Sequence, residues 1–405
     1  MKKSPANPAV STGSAPDQPV PRLKILVVVE PGIAGAFGHV EGLVGFLLEQ
    51  NQQVFLAYSD KRGSPNLVRL IESVDQSGGK CLNLKVSNAP SLGDLLAFVR
   101  LWNFAREVRP DVIHSHSSKA GILARALALF GIKSPQFYSP HAYYGLAPRA
   151  GPMSLFYNKL ESLFSRIGQT IHTSEDERIF AYGTLRMDPA RSLLIPLAVN
   201  TAKFLPATPE EKKKARAELK LPEGAVILGW MGRLSFQKDP QTLYRAFGLH
   251  SQEKDNCHLL HVGQGEEKES IDRLALEFNL QSNVTRVPFL SEPLGFYRAI
   301  DGLILTSRYE GCPNVALESL SSDLPMILSE APGTNWLAKC HLTHCWTAPL
   351  GDAPAFARAI SLWLADLPLK RASNHRAFAL ECFSPDHVYG QILQAYRNRL
   401  QASSL

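Results

Sequence analysis

Two glutamates stand close together in the stretch SRYEGCPNVALESL, Ser307–Leu320. Glu310 precedes a Gly-Cys-Pro break, and Glu318 follows it eight positions later. The apolar run before the stretch predicts a buried strand, and Pro313 suits the first turn of a helix. Carboxylates accept hydrogen bonds from sugar hydroxyls, while a helix N-terminus attracts phosphate. The pattern therefore suits a ligand with hydroxyls and phosphates, although spacing alone slightly favours a plain helix start with a surface acid.

Histidines form two further clusters. In the motif HSH, His114 and His116 are predicted on one face of a strand end. Two ligands do not make a metal site, so we interpret both as hydrogen-bonding groups, with Lys119 beside them. The segment KCHLTHCW (339–346) carries four zinc-ligand side chains within six residues. Such short spacing rarely wraps a tetrahedron; we predict no metal site and leave open whether this cluster binds one.

A repeated strand–loop–helix pattern must position these residues. LKILVVVE (23–30) opens the first series, which continues through RPDVIHSH and QFYSPHAYYG. The pattern restarts at Ala225 and runs through CHLLHVGQGEE, IDGLILTSRYEG and LPMILSE. Short apolar runs rich in Val, Ile and Leu are typical of strands buried on both faces of a parallel sheet. The predicted fold class is α/β, with two Rossmann-like, doubly wound domains facing a cleft.

The domain boundaries follow from the same pattern. Residues 1–21 are rich in Pro, Ser and Ala and lack the apolar region of a signal peptide, so we expect a disordered tail. We predict an N-terminal domain over 22–199 and a C-terminal domain over 200–382. Residues 383–405 read as an amphipathic helix with a Ser-Pro-Asp start.

Composition excludes several classes of protein. The net charge of +6, from 43 basic and 37 acidic residues, allows an anionic substrate or membrane surface but argues for no nucleic acid. The sequence contains no run of 18 apolar residues, so we expect no transmembrane helix. Six scattered cysteines without a CxxC motif indicate a reducing compartment.

Several motifs, taken in order, resemble the nucleotide-sugar glycosyltransferases of the GT-B fold, in the retaining "group 1" or family 4 class. The resemblance rests on an E-x₇-E element, a basic loop, a Gly-rich turn and an interdomain joint, here IDGLILTSRYEGCPNVALE, GWMGRLSFQKDP, HVGQGEE and IPLAVNTAKF. It covers most of residues 23–400. It implies that the N-terminal domain, with His114, His116 and Lys119, lies on the acceptor side, and that the C-terminal domain binds the nucleotide sugar. It also implies that the last helix crosses back onto the N-terminal domain, and that the reaction needs no metal or other cofactor.

The resemblance also implies roles for residues of the C-terminal domain. Arg233 and Lys238 match the basic pair that clamps the donor diphosphate. Two cations there would stabilise the charge that grows on the leaving group. Glu310 matches the acid that contacts the donor sugar, and Glu318 the acid that holds the ribose. Gly263 matches a turn that lets the backbone approach the nucleotide.

In the N-terminal domain, AGAFGHV (34–40) resembles the family's G-G-x-x-x-H-V loop, in which Gly35 comes close to the diphosphate and sugar. Ala34 replaces the first glycine of that pattern. His141, in FYSPHAYYG, matches a histidine that lines the catalytic centre, and we assign it a positioning and electrostatic role. The segment 330–350 departs from the family pattern, which leaves the donor unassigned.

The predicted function is transfer of a sugar, with retention, from a nucleoside-diphosphate donor to a glycan or lipid-linked acceptor in bacterial surface polysaccharide assembly. The alternative is a non-catalytic module that binds a sugar nucleotide or a glycan. Residues 98–110 and 147–168 mix aromatic and aliphatic side chains with Arg and Lys. Such helices either face the core or lie on anionic lipid. We therefore expect a cytoplasmic protein, with peripheral contact at the inner face of the plasma membrane as the second of these options.

Overall fold

The computed structural model describes residues 22–30, 34–61, 63–87, 91–146, 151–252, 256–290, 292–369 and 372–403. The predicted tail therefore lies outside the described residues. All six cysteines lie within them and carry free thiols. None of the described helices is both long enough and apolar enough to span a bilayer.

The first sheet has seven parallel strands in the order β3-β2-β1-β4-β5-β6-β7. Its strands are β1 (Lys24–Val29), β2 (Gln53–Tyr58), β3 (Cys81–Asn83), β4 (Val112–His116), β5 (Gln136–Ser139), β6 (Gln169–His172) and β7 (Ser192–Leu194). The helices of this half are α1 (Ala34–Glu49), α2 (Pro65–Gln76), α3 (Gly93–Val108), α4 (Ser118–Leu129), α5 (Pro152–Phe164) and α6 (Glu175–Gly183). Short 3₁₀ turns follow at Tyr144–Leu146 and Pro189–Arg191.

The second sheet has six parallel strands in the order β10-β9-β8-β11-β12-β13. Its strands are β8 (Val226–Met231), β9 (Cys257–Val262), β10 (Val284–Val287), β11 (Gly302–Leu305), β12 (Met326–Ser329) and β13 (Cys345–Ala348). Its helices are α7 (Pro209–Glu218), α8 (Pro240–Ser251), α9 (Lys268–Glu277), α10 (Leu294–Ala299), α11 (Asn314–Ser321), α12 (Asn335–Ala338) and α13 (Ala353–Asp366). Further 3₁₀ turns lie at Leu280–Ser282 and Leu367–Leu369.

Both sheets are apolar on both faces, which is why their strands are continuous apolar runs rather than alternating ones. All but the first residue of β1 are buried. Separate apolar clusters cover the two faces of each sheet. The predicted α/β class with two doubly wound domains is therefore confirmed.

Two helices end the chain, α14 (His375–Phe383) and α15 (Pro385–Ser403). Helix α15 returns to the N-terminal half, as the resemblance implied. Its buried residues join the core cluster of the first sheet and repeat at helical spacing: Val388, Tyr389, Ile392, Leu393 and Tyr396. The chain therefore passes between the two halves twice, once after β7 and once between α14 and α15. The two connections are in contact, because the Val199 amide donates a hydrogen bond to the Phe383 carbonyl over 2.8 Å.

The strand orders fix where a ligand can bind. All strands run parallel, but in each sheet the order in which the chain adds them reverses once. The reversal lies between β1 and β4 in the first sheet and between β8 and β11 in the second. In open α/β sheets, ligands bind beyond the carboxyl ends of the strands at such a reversal. The loops after β8 and β11 carry Arg233, Lys238 and Glu310, and the helices that follow β1, β4 and β11 carry Gly35, Lys119 and Glu318.

Candidate active site

Glu310 lies in the loop between β11 and α11, and its side chain is only 6% exposed. The Ser307 hydroxyl donates to Glu310 Oε1 over 2.7 Å, and Lys238 Nζ donates to the same oxygen over 2.5 Å. The structure therefore brings together two predicted residues, one acid and one cation, from the loops after β11 and β8. A nearly buried carboxylate paired with an ammonium group keeps both charges at moderate cost.

Asp239 joins these two loops. It has positive φ (47°), and its carboxylate caps α8 by accepting a hydrogen bond from the Thr242 amide. Its carbonyl accepts a hydrogen bond from the Thr306 hydroxyl at the end of β11. Arg308 then closes an ion pair with the same carboxylate at 2.9 Å. Lys238 is thus held next to Glu310 by a network that periodicity did not reveal.

Arg233 does not join Lys238. Its side chain is 72% exposed and pairs with Glu266 over 3.0 Å. In this conformation the predicted basic pair is therefore divided between two acids, one of them at the surface. A surface ion pair of this kind contributes little free energy, so a phosphate could readily compete for the guanidinium.

The turn after β9 requires glycine both because of its backbone conformation and because neighbouring backbone leaves no room for a side chain. Gly263 has φ of 140°, and a Cβ there would lie 1.8 Å from the Gly232 carbonyl oxygen. A Cβ on Gly265 would lie 2.4 Å from the Leu234 carbonyl oxygen. Only glycine lets the loops after β8 and β9 pack this closely. The predicted turn therefore lies beside the basic loop.

Glu318 lies within α11, as predicted, and the Tyr297 hydroxyl donates a hydrogen bond to it. Burial raises the pKa of Glu318 to about 7, while this hydrogen bond and Lys203 oppose the shift. Tyr297 itself is buried in the core of the second sheet. The hydrogen bond from the buried Tyr297 therefore holds the Glu318 carboxylate in one orientation.

His141 lies in the loop after β5, in a strained stretch of backbone. His141 and Ala142 both have positive φ, 53° and 86°. The Glu177 carboxylate accepts a hydrogen bond from the Ala142 amide over 2.5 Å and two more from the Thr173 amide and hydroxyl over 2.7 and 2.9 Å. Since non-glycine residues persist in this region only when their surroundings hold them, Glu177 positions the His141 loop.

Sequence reasoning missed Glu177. Its one local signal is the capping pattern S-x-x-E, since Ser174 caps α6 by accepting a hydrogen bond from the Glu177 amide. That pattern predicts a helix start and not the burial of the carboxylate. The contact with Ala142 spans 35 positions, so only the tertiary structure shows it.

The histidines of the first sheet form one buried group. His116 Nδ1 lies 3.0 Å from His141 Nε2, and the His39 ring, from α1, lies 5.3 Å from the His141 ring between centroids. His114 Nδ1 lies 2.6 Å from the Tyr396 hydroxyl on α15, and its Nε2 lies 2.9 Å from Ser139 Oγ. The last helix therefore supports this group from behind.

Burial sets the charge of these rings. It lowers the pKa of His114 to about 3 and that of His141 to about 4, with the His141 ring adding to the shift at His114. It also lowers the pKa values of His39 and His116, again helped by the neighbouring rings. At neutral pH all four imidazoles are uncharged, so His141 contributes a hydrogen bond or a lone pair to the site rather than a positive charge.

The predicted acceptor-side residues lie in different surroundings. His114 and His116 have fully buried side chains, so neither presents a surface to an acceptor in this conformation. Lys119, at the start of α4, forms an ion pair with Asp94 at 3.0 Å and keeps 14% of its side chain exposed. In the 339–346 segment, His344 Nδ1 lies 2.5 Å from Asp366 Oδ2, and Cys340 Sγ lies against the Trp336 carbonyl.

The two halves of the site touch directly. A Cβ on Gly311 would lie 2.8 Å from the Ala142 amide nitrogen, so the residue after Glu310 packs against the His141 loop. The Asn314 side chain donates to the Gly35 carbonyl over 3.2 Å. The Gly333 amide, in the segment that departs from the family, donates to Asp176 over 2.8 Å. The acid and basic groups of one sheet thus face the histidine loop of the other across a narrow cleft.

Two family models match the chain. Residues 33–203 match Glycosyltransferase Family 4, and residues 211–378 match Glycosyl transferases group 1. Between them the two models cover most of the chain, and each falls on one of the two sheets described above.

The chain is similar to several curated proteins. It is 25% identical over 277 residues, 67% of this chain and 71% of the relative, to a UDP-Gal:alpha-D-GlcNAc-diphosphoundecaprenol alpha-1,3-galactosyltransferase of Escherichia coli. It is 31% identical over 166 residues to the lipopolysaccharide core biosynthesis glycosyltransferase LpsD of Rhizobium meliloti, which is 41% of this chain and 46% of that protein. It is 21% identical over 369 residues, 90% and 94% of the two chains, to the capsular polysaccharide glycosyltransferase CapM of Staphylococcus aureus.

Solved structures share the fold. Sucrose-phosphate synthase from Thermosynechococcus elongatus superposes with a TM-score of 0.77 at 20% identity, over 94% of this chain and 100% of that one. HepE of Anabaena, in complex with UDP-glucose, superposes with a TM-score of 0.76 at 20% identity, over 95% and 100%. These likenesses show the GT-B fold. The two family models, which together match most of the chain, show that it belongs to the group 1 and family 4 glycosyltransferases.

Proposed function

We propose that the chain transfers a hexosyl group from a nucleoside-diphosphate sugar to a lipid-linked saccharide, with retention of anomeric configuration. The observation that carries the proposal is the meeting of Glu310 and Lys238 with the His141 loop across the cleft. One side of that cleft offers a carboxylate for sugar hydroxyls and a cation for phosphate. The other offers an uncharged imidazole on a rigidly held loop.

The donor diphosphate would lie between the basic loop and the start of α11. Lys238 would exchange its partner Glu310 for a phosphate oxygen, which would free the carboxylate to accept hydrogen bonds from the sugar. Arg233, paired only with the exposed Glu266, would turn toward the same phosphate. These cations would stabilise the negative charge that develops as the glycosidic bond breaks. This is why we propose that the reaction needs no metal.

Retention would follow from attack on the face that the leaving group vacates. In this scheme the leaving phosphate oxygen takes the proton of the acceptor hydroxyl, and His141 orients the sugar without forming a covalent bond to it. The low pKa of His141 supports this role, since an imidazole with a pKa of about 4 is a weak proton acceptor at neutral pH.

A uridine diphosphate sugar is the first donor to test. The Escherichia coli relative is named as a UDP-Gal enzyme, and the HepE structure is a complex with UDP-glucose. Glu318, held by Tyr297, would accept hydrogen bonds from the ribose hydroxyls, and the turn at Gly263 would let backbone groups approach the nucleotide.

The acceptor side is apolar and basic. Helix α5 exposes Met153, Leu155, Phe156 and Leu163 together with Lys159, and Arg166 is exposed just beyond its C-terminal end. Its one acid, Glu161, is buried and paired with Arg125 at 2.8 Å, which fixes α5 to α4. The N-terminal end of α3 exposes a second apolar group: Leu92, Leu95, Leu96 and Val99. Both helices begin beyond the carboxyl edge of the sheet, at the mouth of the cleft.

On helix α5, apolar side chains with a lysine and no exposed acid suit an anionic membrane surface. The exposed acid of α3, Glu107, lies at the C-terminal end of that helix, away from Leu92 and Leu95. We propose that α5 and α3 rest on the inner leaflet and present the cleft to a lipid-linked acceptor. Vesicles that contain phosphatidylglycerol should float the protein at low salt. Leu155→Asp combined with Phe156→Asp should reduce the floated fraction, while Val68→Asp, on the exposed face of α2, should not. Equal flotation of all three proteins would count against the proposed surface.

The function itself can be tested in two stages. Ligand-observed NMR with UDP-, GDP-, ADP- and dTDP-sugars identifies the donor, with Glu318→Ala and Arg233→Ala as variants expected to weaken binding. Incubation of that donor with polyprenyl-diphosphate saccharides then measures transfer, and the anomeric configuration of the product reports retention. Binding without transfer or donor hydrolysis would favour the alternative, a non-catalytic sugar-nucleotide module. A folded protein that binds no donor would refute the proposal.

A further inference from the structure

Three histidines from separate parts of the chain converge at the carboxyl edge of the first sheet. His39 comes from α1, His116 from the end of β4, and His141 from the loop after β5. One ring nitrogen of each lies within 4.8 Å of one nitrogen of each of the others. Among the described residues, no other group of histidine, cysteine or acidic side chains meets this condition.

The spacing is close to what a metal ion requires. Zinc binds imidazole nitrogen at about 2.0–2.1 Å, so two nitrogens on a tetrahedral ion lie about 3.4 Å apart. His116 Nδ1 and His141 Nε2 lie 3.0 Å apart. The ligand nitrogens of the three rings lie within 4.8 Å of one another. This limit exceeds the tetrahedral nitrogen–nitrogen distance by about 1.4 Å, a difference that rotation of the His39 ring about its side-chain bonds can remove.

The rings also have bonding capacity that the described residues do not use. His39 Nδ1 is buried and has no hydrogen-bond partner within the described part of the chain. Among the described residues, the facing nitrogens His116 Nδ1 and His141 Nε2 have only each other as partners. Buried polar atoms are normally satisfied by protein, water or an ion. By contrast, both nitrogens of the neighbouring His114 are engaged, so it is excluded as a fourth ligand.

The group is held in place before any ligand arrives. His39 is backed by the Tyr389 ring at 5.4 Å between centroids, and the Tyr389 hydroxyl donates to the His39 carbonyl. His116 is fixed by its strand, and the His141 loop is fixed by Glu177 through Ala142. His39 and His116 are buried, whereas His141 is partly exposed. A fourth coordination position would therefore open on the His141 side, toward the cleft.

We infer that His39, His116 and His141 form a binding site for one divalent transition-metal ion of the Zn²⁺ class. Three neutral imidazoles suit Zn²⁺, Co²⁺, Ni²⁺ and Cu²⁺, and they do not suit Mg²⁺ or Ca²⁺, which prefer oxygen. The ion is not a requirement of the proposed reaction. It lies at the carboxyl edge of the first sheet, at the residue proposed to orient the donor sugar, and it therefore inhibits transfer.

The binding test uses the untagged full-length chain after chelator treatment, so that a histidine tag supplies no ligands. Titration with Co²⁺ should produce the visible absorption of a tetrahedral ion, saturate at one equivalent, and be reversed by Zn²⁺. His39→Gln and His116→Gln should each weaken Co²⁺ binding at least about tenfold, the minimum seen when even an outer-shell group of a metal site is lost. His387→Gln, an exposed histidine on α15, should bind like wild type.

Three results would overturn the inference. They are the absence of a tetrahedral Co²⁺ spectrum with wild type, unchanged Co²⁺ binding in both His39→Gln and His116→Gln, and equally weakened Co²⁺ binding in His387→Gln. The thermal unfolding transition of each variant shows whether it folds, and His141→Gln replaces any variant that does not. This test reads metal binding alone. Its failure therefore leaves the proposed transfer reaction standing, and loss of transfer activity leaves the metal site standing.

Discussion

The substitution Glu177→Gln tests whether a buried carboxylate holds the His141 loop in its working conformation. The carboxylate accepts three hydrogen bonds, of which the shortest, 2.5 Å, comes from the Ala142 amide. Residues in the left-handed region cost about 1–3 kcal/mol each, and this loop contains two in succession, His141 and Ala142. Glutamine keeps the size of the side chain but has only one acceptor oxygen, and its NH2 group cannot accept a hydrogen bond from an N–H donor. Both oxygens of Glu177 accept hydrogen bonds, so at least one of these bonds is lost.

The expected size of the effect follows from the bonds lost. The variant loses at least one hydrogen bond to a charged acceptor, worth about 1.5–3 kcal/mol. If that loss falls on the transition state, kcat drops about 10- to 150-fold, since about 1.4 kcal/mol corresponds to a factor of ten. The affinity for the donor should change less, because Lys238 and Glu318 do not contact Glu177.

The assay is release of nucleoside diphosphate under saturating donor and acceptor, with urea unfolding measured in parallel. Glu175→Gln is the matched control, because it makes the same change on the same helix at an exposed residue paired only with Arg178. A Glu177→Gln protein that folds cooperatively and keeps kcat within about twofold of wild type would show that the loop does not depend on this carboxylate.

The remaining predictions concern glycine, an acid and the last helix. Gly263→Ala should destabilise the protein by at least about 2 kcal/mol, because of its positive φ and the close Gly232 carbonyl; Gly295→Ala, in an open position of α10, should be neutral or slightly stabilising by urea unfolding. The folded-state pKa of Glu318 is raised from 4.5 to about 7, so the folded state binds more protons between these values and stability falls as pH rises through that window. Glu318→Gln should remove this fall in stability. A difference in the free energy of unfolding between wild type and variant that stays constant from pH 4.5 to 7 would contradict this expectation. Tyr396→Phe should cost about 1–3 kcal/mol, because it leaves a buried His114 nitrogen unpaired; an unchanged urea midpoint would argue against that bond.

Local pattern determined the architecture. Runs such as LKILVVVE and IDGLILTS are apolar on both faces, and only strands covered on both sides bury such runs. Each is followed by a loop and an amphipathic segment, which together specify parallel sheets with crossover helices. Glu310 and Glu318 could be predicted in their elements for the same reason, since a strand end, a Pro and a helix start are all encoded within a few residues.

What the sequence left open depends on contacts between distant segments. Lys238 meets Glu310, 72 positions later, because parallel strands deliver their carboxyl ends to one edge of the sheet, and no periodicity records which loops then meet. The same holds for the hydrogen bond between Glu177 and Ala142.

The histidine group shows most clearly which features the sequence predicts and which depend on tertiary contacts. The sequence marks His114 and His116 as a pair on one strand face and gives no sign that His39 belongs with them. The tertiary structure turns His114 toward Tyr396 and brings His39 and His141 to His116. Strand periodicity fixes the face on which a side chain lies, but its partners on that face are set by the packing of α1, α15 and the loop after β5. The sequence by itself therefore determined the fold and the elements that carry the site, and only the tertiary structure decided which side chains meet.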